Sequence, residues 1–72
     1  MTVMSTDITD DRITAEQRLA VYRARDHITE DGDRRGAVRL MDDFTVRVNQ
    51  ISEGETVREW IAYPNGRLTW RT

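Results

Sequence analysis

The chain reads as an α+β domain in which one N-terminal helix packs on a four-stranded antiparallel β-meander, in the order α-β-β-β-β. Three observations predict this. Apolar residues recur at helical spacing through a stretch without Gly or Pro over 15–28. After Gly36 the spacing changes to alternation. Turn signals then punctuate the rest at Asp42-Asp43, Glu53-Gly54 and Asn65-Gly66. At 72 residues there is room for one domain. A chain this short removes only ~60% of its exposable surface on folding, so its core is small.

Residues 1–12 scatter Val3, Met4 and Ile8 among Thr and Asp, too little apolar surface to order a segment. They are expected to form a flexible acidic tail, leaving 13–72 as the domain. Thr14 is placed to cap a helix, and Gln17, three residues on, can return the bond as a capping box. Glu30-Asp31-Gly32-Asp33 stops the helix, and Arg34-Arg35-Gly36 completes a linker. Strands follow over 37–41, 44–51, 56–63 and 67–71. Val38 and Leu40 alternate, which favours a strand over a helix across 36–44. Asn-Gly is the strongest short hairpin signal in the chain.

Two-residue turns at Asn65-Gly66 and Glu53-Gly54 set a register. Tyr63 then faces Leu68 and Ile61 faces Trp70, while Val46 faces Ile61 and Phe44 faces Tyr63. Both pairings place Phe44, Val46, Val48, Val57, Ile61, Tyr63, Leu68 and Trp70 on one face, the expected core. A three-residue first turn adds Val38 and Leu40. The opposite face would carry Arg39, Thr45, Arg47, Asn49, Arg58, Trp60, Ala62, Arg67, Thr69 and Arg71.

Composition removes much chemistry. There is no cysteine, which excludes disulfides and thiolate-bound metal. There is one histidine and no lysine, and the 11 cations are all arginine. Arginine-only usage fits a GC-rich coding bias, and so an origin in a GC-rich genome or a phage or mobile element of one. Net charge is −2, with the acids concentrated before residue 34 and the arginines after it. That balance disfavours a protein that coats DNA by charge alone. No apolar run approaches the ~18 residues of a membrane span, and the first residues lack a basic, then apolar, signal pattern. A cytoplasmic protein without membrane contact is expected. His27 lies near Arg23, Glu30 and Asp31, which suits a helix-end ion cluster. Asp7, Asp10 and Asp11 lack the spaced loop of a calcium site, and no cofactor motif is present.

Two surfaces remain as candidates for contact. On the sheet, Arg47, Arg58, Arg67 and Arg71 would surround Trp60, a composition suited to a protein partner or to the phosphates and bases of a nucleic acid. On the helix, Ala20, Val21, Ala24 and Ile28 form one apolar stripe, and Ala15, Leu19 and Tyr22 form another on nearly the opposite side. A helix on one small sheet needs a single stripe. The second would serve a protein partner, a homodimer or the N-terminal tail. With no nucleophile or base beside an orienting partner, catalysis is not expected. The expectation is a small non-enzymatic modulator or accessory factor acting by protein–protein contact. The alternative is nucleic-acid binding through the Arg/Trp face.

Overall fold

The computed structural model describes residues 10–72. Helix α1 spans Ala15–Glu30 and is followed by strands β1 (Arg34–Leu40), β2 (Val46–Ser52), β3 (Glu55–Ala62) and β4 (Leu68–Arg71). The strands form one antiparallel sheet in the order β1-β2-β3-β4, with α1 packed on one face. This is the helix-then-meander that the sequence predicts. Of the tail expected over 1–12, residues 1–9 lie outside the described residues. Asp10 to Ile13 form a turn closed by the Ile13 N–H on Asp10 O at 3.0 Å. In it the Arg12 guanidinium and backbone N–H bond the Asp10 carboxylate and hold its pKa down at about 2.

The helix starts as its capping residues require. Thr14 Oγ1 accepts from the Gln17 N–H at 3.0 Å, and Gln17 Oε1 accepts from the Thr14 N–H at 3.4 Å. The Gln17 side chain is buried and also donates from Nε2 to Phe44 O (2.7 Å) and Ala62 O (2.8 Å), tying the helix start to the first hairpin loop and to the end of β3. At the other end, the Gly32 N–H bonds Thr29 O and the Asp33 N–H bonds Ile28 O, with Gly32 at φ 77°. This is a Schellman ending, which a residue without Cβ makes inexpensive. The helix therefore runs two residues past 28. Strand β1 begins at Arg34, so Arg34-Arg35-Gly36 is strand and not linker. The register of β1 on β2 shifts between Arg35 and Val38. A Cβ on Gly36 would lie 2.9 Å from Asn49 Cβ, so glycine at this bulge lets the pairing continue.

The sheet register corrects the sequence reading at β3. Ser52 pairs with Glu55 across Glu53-Gly54, both at positive φ, as a two-residue turn demands. One step on, the pairing slips by a residue at Val57, and Gln50, Val48 and Val46 face Arg58, Trp60 and Ala62. The last hairpin has three loop residues, not two. Tyr63 N–H donates to Arg67 O, Gly66 N–H donates to Tyr63 O, and Gly66 sits at φ 90°. Trp60 consequently faces Trp70, and Ala62 faces Leu68. The two one-residue shifts cancel between β2 and β4, so Val46, Val48, Leu68 and Trp70 share a face as expected. Within β3, every side chain from Arg58 onward is turned over.

The core is therefore Ala20, Val21, Ala24 and Ile28 of α1 with Ile13, Val38, Val46, Val48, Trp60 and Ala62, flanked by Leu40 and Leu68. The helix stripe assigned to the core holds, and so do Val38 and Leu40, because the first turn does have three residues. Phe44, Val57, Ile61 and Tyr63 do not belong, and Trp70, though on the core face, is 49% exposed at the sheet edge and lies outside the core. Val57 is the exposed bulge residue, and Ile61 is buried on the outer face between its cross-strand neighbours Arg47 and Thr69. Phe44 lies in the first hairpin loop at φ 64° and is 58% exposed.

Candidate functional site

The outer face of the sheet differs from the arginine-and-tryptophan surface expected. Trp60 is on the helix side, only 6% exposed, and Arg58 and Ala62 point the same way. Arg67 is turned from Glu59 onto Tyr63, its guanidinium carbon lying 5.6 Å from the ring centroid. What remains outside is Arg39, Arg47 and Arg71 around Glu59. Glu59 Oε1 accepts from Arg47 Nη1 at 2.8 Å and Arg71 Nε at 3.0 Å, and Oε2 accepts from Arg39 Nη2 at 2.9 Å. Asp43 Oδ2 adds a longer contact to Arg47 at 3.8 Å. Burial works to raise the Glu59 pKa, but the hydrogen bonds from Arg47, Arg39 and Arg71, with the charge of Arg47, prevail and lower it. Asp43 is also lowered, chiefly by hydrogen bonds from the Thr45 hydroxyl and N–H. Much of the arginine charge on this face is thus answered from within.

Glu59 is absent from both faces as the sequence reading draws them, and that omission was the available signal. A register with Val57 and Ile61 in the core puts Glu59 between them, an unpaired carboxylate in a dry interior. The bulge at Val57 avoids this by exchanging Glu59 for Trp60.

The second constellation lies at the C-terminal end of α1. The Trp60 indole stacks on His27, with ring centroids 4.9 Å apart and planes 3° from parallel. Its Nε1–H donates to Gln50 Oε1 at 2.9 Å. Gln50 is buried, and its Nε2 donates to Asp31 Oδ2 (2.8 Å) and Asp33 Oδ2 (2.7 Å), the residues that close the helix. Next to Trp60 in the sheet, Trp70 is tilted at 56° with centroids 6.4 Å apart, and is 49% exposed. Arg58 stands 4.1 Å over the Trp70 ring and 5.7 Å from that of Trp60, with Asp31 at 3.6 Å. His27 is therefore a stacking partner for Trp60, and not the member of an ion cluster expected from its neighbours in sequence. The tryptophan presented to solvent beside arginine is Trp70.

The third constellation is the outward face of α1. Leu19 is 63% exposed and Tyr22 is 44% exposed, with Ala15 exposed one turn before Leu19. Arg25 lies 5.9 Å from the Tyr22 ring centroid. The second helix stripe thus exists as an uncovered surface among the described residues.

Among the described residues no three His, Asp or Glu side chains converge as a metal site, and no helix is long and apolar enough to cross a membrane. In comparison with known proteins, no family model, curated protein or solved structure matches this chain.

Proposed function

We propose that this chain is a small non-enzymatic protein-binding module, acting as a modulator or accessory factor through contact with another protein. One observation carries the reading. Three of the five aromatic side chains, Tyr22, Phe44 and Trp70, are more than two-fifths exposed, and Leu19 joins them. Large apolar groups left in water are a loss for so small a core, whereas Trp and Tyr dominate the energetics of protein interfaces. Phe44 adds to this, because a bulky residue in the left-handed region is strained, and such strain gathers at functional positions. Nucleic-acid binding has weaker support once Trp60 is removed from the arginine face and Arg39, Arg47 and Arg71 hold Glu59.

Site-specific photo-cross-linking in the native host tests the reading. A benzophenone side chain placed singly at Leu19, Tyr22, Phe44 or Trp70 is expected to give discrete protein adducts, with none at the exposed turn residue Glu53. Adducts no more frequent than at Glu53, or adducts to nucleic acid only, would contradict it.

A further inference from the structure

The free edge of β4 carries more information about the partner than the other exposed surfaces do. In an antiparallel pair, hydrogen-bonded and non-bonded positions alternate. The Tyr63 N–H on Arg67 O fixes that alternation, so Thr69 and Arg71 bond β3, while the N–H and C=O groups of Leu68 and Trp70 point away from it. No described residue pairs with them. The other edge, β1, is interrupted by the bulge at Gly36, a common way of blocking strand addition. Strand β4 has no bulge, no proline and no acid, and its flanking charges are Arg67 and Arg71.

Those arginines argue about the occupant. A second copy added antiparallel about Thr69 would set Arg67 of one chain against Arg71 of the other, and like charges directly opposite repel. Arg67 makes no ion pair among the described residues, and Arg71 gives Glu59 only its Nε. The two faces of the edge also differ. Trp70 and Leu68 lie on the helix side, while Thr69 and Arg71 lie on the outer side. Side chains of an added strand would alternate to match.

We propose that β4 is the docking edge for an extended acidic peptide of a partner protein, added as a fifth strand. Apolar residues of that peptide lie beside Trp70 and Leu68, and Asp or Glu residues alternate with them beside Arg71 and Arg67. The proposal rests on the reading of the chain as a protein-binding module, and it names that module's site and the chemistry it selects.

The test uses a synthetic octapeptide alternating Glu with Val and Phe, and a counterpart with Lys for every Glu. The Glu peptide is expected to bind at least roughly tenfold more tightly than the Lys peptide, and to slow hydrogen exchange of the Leu68 and Trp70 amides. The full chain is short enough for chemical synthesis with the Trp70 amide N-methylated, which removes one outward N–H and keeps every side chain. Binding should be lost while the circular dichroism of the fold is retained. No binding of the Glu peptide, binding indifferent to methylation, slow exchange at those amides in the free chain, or unfolding of the methylated chain would each overturn the proposal. Cross-linked partners at Leu19 or Tyr22 with none at Trp70 would overturn it too, and leave protein binding itself standing.

Discussion

Trp60 and Trp70 are cross-strand neighbours of the same chemical type, and their surroundings give them opposite duties. Trp60 is closed in by His27, Gln50 and the core valines, while Trp70 keeps half its surface in water under Arg58. Truncating Trp60 to Ala should cost about 3–5 kcal/mol, through lost burial, a cavity and the abandoned Gln50 acceptor. Trp70→Ala should cost about 1 kcal/mol at most, the scale of an exposed cation–π contact. Urea unfolding of the two variants side by side measures both. Glu59 makes a second prediction. Its folded pKa is lowered, so its contribution to stability is complete above the ordinary carboxylate range near 4.5 and is lost as pH falls through the lowered value. Glu59→Gln should therefore flatten the acid side of the stability–pH curve and leave its shape above pH 6 unchanged, as thermal melts across pH would record.

The elements were largely legible from residues, and their register was not. The capping box at Thr14 and Gln17, the buried helix stripe and the Glu53-Gly54 turn follow from local chemistry, and all are present. Facing was lost because it depends on counting by twos, and one bulge residue or one extra loop residue inverts it. Agreement between the two hairpins could not reveal the error, since the shifts on either side of β3 cancel in β2 and β4. The unpaired Glu59 in the expected core was the local clue. Phe44 gave none, because its loop position, matched by Gly66 in the last hairpin, ordinarily calls for glycine. Phe44→Gly should raise stability by about 1 kcal/mol by relieving the left-handed strain, seen as a higher melting temperature. Gly36→Ala should act oppositely, losing about 1–3 kcal/mol as its Cβ presses on Asn49 and the β1 bulge is forced apart. Denaturant titration of that variant gives the sign directly.

At the scale of the molecule, the near-neutral charge and small core acquire a spatial meaning. Asp31 and Asp33 at the end of α1 are engaged by Gln50, and the outer arginines are gathered on Glu59. The proposed docking surface is then the exposed aromatics and the cationic edge of β4, opposite in character to the proposed acidic, extended peptide. The proposed docking edge requires that Trp70, and not Trp60, faces water. With two tryptophans the amide spectrum holds two indole N–H signals, and Trp70→Phe identifies them. A soluble gadolinium chelate should broaden the signal that disappears in Trp70→Phe and spare the Trp60 indole held by Gln50. Binding of the acidic octapeptide should then protect the broadened signal. Broadening of the indole that survives in Trp70→Phe would put Trp60 on the surface and contradict the arrangement on which the proposed function rests.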